Sequence, residues 1–86
     1  MGRKMNYVYL LESLDEDRVH YIGSTNDLKR RFREHNEGRG CNSTRNRQWK
    51  LLYYEAYETL NMARERERQL KQHRGSRRAL YKRLGI

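Results

Sequence analysis

Met5-Asn6-Tyr7-Val8-Tyr9-Leu10-Leu11 and Val19-His20-Tyr21-Ile22-Gly23 are the stretches whose reading decides the fold. Both are rich in Tyr, Val, Ile and Leu, which suit a pleated, half-buried strand. The polar segment from Ser13 to Arg18 between them reads as a turn, so an antiparallel hairpin is predicted. Leu51 to Tyr57 has the same aromatic and apolar bias and is predicted as a third strand. Side chains alternate along a strand, so Tyr7 and Tyr9 share one face while Val8 and Leu10 take the other. Tyr21 shares a face with Val19, opposite Ile22. A register that pairs these faces brings the hydroxyls of Tyr9 and Tyr21 together. Tyr7, Tyr53, Tyr54 and Tyr57 are read as ordinary half-buried strand residues.

Working outward, Asp27 to Glu37 is predicted as a helix capped by Thr25 or Asn26 and stopped by Gly38. Asn61 to His73 is predicted as a second helix ended by Gly75, with Ser76 capping a final helix to Leu84. Gly38 to Trp49 reads as a basic loop holding at most one helical turn. The expected fold is a single α+β domain over residues 1–86, a small three-stranded antiparallel sheet flanked by helices. At about 100° per residue, Leu28, Arg31, Phe32 and His35 fall on one arc of the first helix, and Lys29, Arg30, Arg33 and Glu34 point elsewhere. The second helix places Ala63, Arg66, Glu67 and Leu70 on one side and Glu65 on the other. A carboxylate on a core-facing stripe requires a partner, either an arginine (Arg31 or Arg66) or a cation.

Composition narrows the function class. The chain has 86 residues, 20 Lys and Arg against 11 Asp and Glu, and a net charge of +9. Residues 61–86 carry nine basic and two acidic side chains and residues 26–50 carry eight and three, so the positive charge gathers on the predicted helices and their loops. That is the footprint of a polyanion-facing side, although a merely solvated basic surface has the same composition. Cys41 is the single cysteine, which excludes an intrachain disulfide and a cysteine zinc site and suggests a reducing, cytoplasmic setting. No apolar stretch approaches a membrane span, and no membrane association is expected.

The two triplets, Tyr7-Val8-Tyr9 and Tyr21-Ile22-Gly23, followed by Arg31, His35 and Glu67, resemble the catalytic core of the GIY-YIG nuclease superfamily. The second triplet begins with tyrosine, ten positions later comes Arg31, and four further comes His35, as the family pattern requires. The chain is similar to the small single-domain branch through Gly23-Ser24-Thr25, His35-Asn36, Thr44, Trp49-Lys50-Leu51, Tyr54-Glu55 and Arg66-Glu67. Two departures stand out. The first triplet lacks its Gly and Ile, and the asparagine that many members carry on the last helix is replaced, fifteen residues after Glu67, by Lys82.

The resemblance implies a metal-dependent DNA endonuclease that hydrolyses phosphodiester bonds, structure-selective or weakly specific, with a role in DNA repair or recombination. Its catalytic residues would be Tyr9, Tyr21, Arg31, His35 and Glu67, with Glu67 holding one Mg²⁺ or Mn²⁺. Tyr9, assisted by Tyr21 or His35, would act as general base on the attacking water, and Arg31 would clamp the scissile phosphate. His20 and His73 are read as structural or surface residues. Sequence-blind phosphate contacts are expected from Thr25, Lys29, Arg30, Arg45, Arg47, Lys50, Lys71, Arg74, Arg77, Arg78 and Lys82. No reading module is visible, so any targeting would come from substrate shape or a protein partner. The alternatives are a nuclease-like fold that binds nucleic acid without cleaving it, and a basic module on RNA whose tyrosines are only core.

Overall fold

The computed structural model describes residues 4–86. The described chain runs β1 (Asn6–Ser13), β2 (His20–Thr25), α1 (Leu28–Asn36), a 3-10 turn (Asn42–Thr44), β3 (Trp49–Tyr57), α2 (Leu60–Gln72) and α3 (Arg74–Leu84). The strands form one antiparallel sheet in the order β2-β1-β3. This is the expected α+β architecture. β1 is central and buried from Val8 to Ser13, while β2 is an edge strand with one side free of pairing.

The hairpin register sets Tyr9 opposite Gly23 and Leu11 opposite Tyr21, so both tyrosines lie on one face as the alternation predicts. Ser13 closes the turn. Its Oγ accepts from the Val19 amide at 2.7 Å and donates to Asp15 at 2.9 Å, and Arg18 takes a left-handed φ of 47°. Glu12 sits just behind this turn and is buried. Its carboxylate meets His20 Nε2 at 2.9 Å and Lys50 Nζ at 3.2 Å, which supplies the partners that burial of a charge requires.

The faces of the sheet are covered differently. Val8, Leu10 and Ile22 pack beneath α2 and α3 against Ala63, Leu70 and Leu80. Tyr9, Leu11 and Trp49 pack on the other face against Leu28 and Phe32 of α1. β3 does not alternate simply. Leu10 lies opposite Tyr53 but Leu11 lies opposite Leu51, so Leu52 is an extra residue in a bulge. Leu52 and Tyr53 therefore both pack beneath the helix pair, while Leu51 packs on the α1 face. Tyr54 is 53% exposed, which corrects its reading as a half-buried filler. Tyr53 and Tyr57 donate their hydroxyls to Glu55 at 2.7 and 2.5 Å, and Arg66 binds the same carboxylate at 2.9 Å.

Three boundaries differ from expectation. The cap of α1 is Asp27, whose carboxylate accepts from the Arg30 amide at 3.1 Å; Thr25 instead braces the cap by accepting from the Asp27 amide at 3.1 Å. α2 begins one residue earlier because Thr59 caps it, accepting from the Met62 amide. Gly75 ends nothing, since the chain breaks at His73 and Gly75 and Ser76 lie inside α3. The physical reason is Arg77, whose guanidinium donates to the Leu70 and Lys71 carbonyls at 3.4 and 3.1 Å and so satisfies the orphan end of α2 without a glycine cap.

Candidate active site

Gly23 makes the site possible. A Cβ there would lie 2.5 Å from the Tyr9 hydroxyl oxygen and 3.0 Å from the Tyr21 ring, so the missing side chain lets Tyr9 reach across β2 towards its free edge. At that point the Tyr9 hydroxyl lies 2.7 Å from Nε2 of His35, a residue with no exposed surface. His35 Nδ1 lies 2.8 Å from Thr44 Oγ1, and that hydroxyl is 3.0 Å from the Cys41 carbonyl. A carbonyl can only accept, so the Thr44 hydroxyl proton is directed to it and the Thr44 oxygen receives Nδ1–H. His35 is thereby held with a bare Nε2, and Tyr9 donates to it. The order Tyr9–His35–Thr44–Cys41 is a one-way hydrogen-bond chain fixed by its terminal acceptor. Gly40 makes a second close approach, because a Cβ there would clash with His35 Nδ1 and come within 2.7 Å of Thr44 Oγ1.

Burial tunes these groups. Desolvation, followed by the positive charge of Arg31, pushes the His35 imidazole down to about 4, so it is neutral at physiological pH. Burial pushes Tyr9 up to about 12, partly opposed by a hydrogen bond from Arg31. Tyr21 is raised as well, first by burial and then by its hydrogen bond with the Cys41 thiol. Neither tyrosine ionises unaided near neutrality. Arg31 itself is held by Glu34 at 3.1 Å.

Glu67 arrives from the opposite face of the sheet, on α2. Ser24 Oγ donates to one carboxylate oxygen at 2.5 Å and Lys71 Nζ lies 2.7 Å from the other. Lys71 Nζ also sits 5.7 Å from the centre of the Tyr21 ring. Glu67 is close enough to Tyr9 for its charge to act on the phenol. Tyr9, Tyr21, Arg31, His35 and Glu67 thus converge around the edge of β2, four from the α1 face and one from the helix-pair face. Beside them lies a pocket of about 430 Å³ lined in part by Tyr21, Ser43, Lys71 and Arg77. Glu67 pairs with neither of the expected arginines, since Arg31 pairs with Glu34 and Arg66 with Glu55; its ion-pair partner is Lys71. Glu65 is exposed and pairs with Arg68.

Among the described residues no group of three or more His, Cys, Asp or Glu side chains is arranged to hold a metal. Glu67 offers a single carboxylate, its oxygens now held by Ser24 and Lys71. That donor fits Mg²⁺ or Mn²⁺, which bind through one or two carboxylates and retain water, and does not fit zinc.

A model of the GIY-YIG catalytic domain matches residues 5–82. The chain belongs to the GIY-YIG family. It is 42% identical over 67 residues to the UPF0213 protein of Haloquadratum walsbyi, which covers 77% of this chain and 73% of that protein. It is 44% identical over 68 residues to a UPF0213 protein of Clostridium perfringens (78% and 71% covered), and 41% identical over 68 residues to one from Streptococcus pyogenes (78% and 72% covered). No solved structure matches. The GIY-YIG domain is a nuclease-type fold, and its nucleases are generally divalent-metal dependent.

The basic residues nominated for phosphate contact divide into two groups. Lys29, Arg45, Arg74, Arg78 and Lys82 are exposed and pair with no acid among the described residues. Arg30, Arg47 and Lys50 are engaged by Asp27, Asp15 and Glu12, Lys71 by Glu67, and Arg77 by helix carbonyls. Thr25 is half-buried at the α1 cap. Lys82 lines a separate depression with Arg78 and Tyr81, apart from the clustered five. His20 is structural, bound to Glu12 and packed on Tyr81, and no helix among the described residues is long and apolar enough to cross a membrane. The sequence reading gave no role to Thr44 or Ser24, which hold His35 and Glu67. Both are positions that carry the resemblance, but their hydroxyls have no periodic signal, and only the folded contacts reveal what they hold.

Proposed function

We propose that this protein is a divalent-metal-dependent DNA endonuclease that hydrolyses phosphodiester bonds at the free edge of β2. The observation that carries the reading is the Tyr9 hydroxyl donating at 2.7 Å to a neutral, fully buried His35 whose tautomer Thr44 fixes. Phosphodiester hydrolysis needs a proton acceptor for the attacking water and positive charge for the phosphate oxygens. Tyr21 forms part of the pocket wall and its hydroxyl is engaged with the Cys41 thiol, so Tyr9 is the relay: it passes its hydroxyl proton to His35 Nε2 as it takes the proton of the attacking water. Arg31 binds the scissile phosphate. Burial is the main cause of the depressed His35 basicity, and a phosphate anion on Arg31 offsets the smaller part that comes from the Arg31 charge. Glu67 would hold the divalent ion, which would supply positive charge to the phosphate and leaving oxygens, and Lys71, beside Glu67, would contact a neighbouring phosphate.

One observation favours a nucleic-acid-binding module without cleavage: both Glu67 oxygens are already engaged, by Ser24 and Lys71. The two readings separate on labelled duplex, nicked and branched DNA in Mg²⁺ and Mn²⁺. The nuclease cuts, and Tyr9→Phe and Glu67→Ala each lose about 10²–10⁴-fold in rate while retaining DNA binding. Salt-sensitive binding by the wild type with no cleavage in either metal would establish the binding module instead.

A further inference from the structure

A second groove, of about 570 Å³, lies between α1 and the β1–β3 half of the sheet, outside the cluster at the β2 edge. Its aromatic wall is Tyr7 and Tyr54, whose rings meet edge to face with centroids 5.9 Å apart, with Phe32 beside them and Lys4 and Lys29 at the rim. Tyr54 is 53% exposed, and its hydroxyl makes no hydrogen bond with a described residue, so packing alone gives it little reason to be tyrosine. The acid at the rim, Asp27, is engaged in capping α1 through the Arg30 amide at 3.1 Å and lies 3.9 Å from the Arg30 guanidinium. Two lysines thus face one partly paired carboxylate, and the rim is net positive.

An open aromatic face flanked by cations is the chemistry that holds an unpaired base and its phosphate. A protein partner would use the rings but gain little from lysines, which are depleted in such interfaces. Tyr54 also stands directly opposite Tyr9 across the β1–β3 ladder. Along α1, the seven helical steps from Leu28 at the groove to His35 at the cluster span about 10 Å, so one nucleic acid can touch both.

We infer that this groove binds an unpaired nucleobase of the same DNA whose backbone lies at the β2 edge, and so directs the protein to flapped, branched or otherwise unpaired substrates. The inference rests on the nuclease reading. It is tested by fluorescence anisotropy in EDTA, comparing a blunt duplex with the same duplex bearing a short unpaired flap. The wild type should bind the flap more tightly. Tyr54→Ala should weaken flap binding roughly five- to a hundredfold and leave the blunt duplex unchanged, while Tyr54→Phe, which keeps the ring, should behave as wild type. Lys29→Ala should lower the salt slope for the flap by about one. Equal binding of both DNAs by the wild type, or a Tyr54→Ala that keeps the flap preference, overturns the groove assignment while leaving the nuclease reading intact. A wild type that binds neither DNA overturns both.

Discussion

Beneath α2 and α3 the sheet presents Val8, Leu10 and Ile22 to Ala63, Leu70 and Leu80, whereas beneath α1 it presents Tyr9 and Tyr21 to a buried His35 tied to Thr44. The first face removes apolar surface from water, at about 1.5–3 kcal/mol for each large side chain. The second also buries Leu11 and Trp49 against Leu28 and Phe32, and adds hydrogen bonds worth only about 1 kcal/mol net each while bearing the desolvation of an imidazole and two phenols. The helix-pair face therefore works through apolar packing alone, while the α1 face combines packing with a buried polar chain at the proposed site. Edge strand β2 is where they meet, and Glu67 is the one clustered residue that comes from the apolar side. The largest expected effect follows from this division. Leu70→Ala should cost about 2–5 kcal/mol in urea unfolding, yet DNA cleavage per folded molecule should stay within about twofold, since a 1.4 kcal/mol change in barrier would already be tenfold. A tenfold loss of cleavage per folded molecule would mean that the two faces are coupled through α2.

That contrast was only partly legible in the sequence. The strand faces and the inward arc of Arg31, Phe32 and His35 could be read because they follow a period. So could Glu67, an acid that shares its side of the helix with Ala63, Arg66 and Leu70. The bulge at Leu52 could not, because it depends on how β3 docks on β1, and it changes which side Tyr53 and Tyr54 occupy. The break at His73 was hidden by Gly75, a helix terminator on sequence grounds, because the true cap for the α2 carbonyls comes from Arg77 one turn into the next helix. Long-range partners such as Ser24 for Glu67 and Thr44 for His35 leave no local trace. Several of the basic residues assigned to phosphate turned out to be held by acids, since a list of charges does not show which of them face each other.

Acid titration sharpens the comparison next. His35 titrates at about 4 in the folded protein and at about 6.5 in the unfolded chain. Between these values the unfolded state binds the extra proton, so stability is fully present above pH 6.5, falls as the pH drops towards 4, and levels off below. A shift of this size corresponds to at most about 3 kcal/mol. Urea midpoints for wild type and His35→Asn across pH 4–7 isolate this contribution, and the variant should have the flatter profile. Parallel profiles would mean that the imidazole is not desolvated as its burial implies.

The smallest effect compares two glycines. At Gly75, in the first turn of α3, an added Cβ meets nothing within 4 Å, whereas at Gly40 it would press on His35 Nδ1 and lie 2.7 Å from Thr44 Oγ1. Gly75→Ala should therefore stabilise by about 0.4–1 kcal/mol, because it restricts the unfolded chain and improves helix propensity at no steric cost. Gly40→Ala should destabilise by about 1–3 kcal/mol, since the atoms it meets are held by their own hydrogen bonds and cannot swing aside freely. The kinetic consequence is the sharper test. If His35 must be oriented by Thr44 to accept the Tyr9 proton, Gly40→Ala lowers the cleavage rate per folded molecule, whereas Gly75→Ala leaves it unchanged. A Gly40→Ala protein that is destabilised yet cleaves at the wild-type rate would leave the His35–Thr44 contact as packing, and proton acceptance would then have to be assigned to Tyr21 and its surroundings.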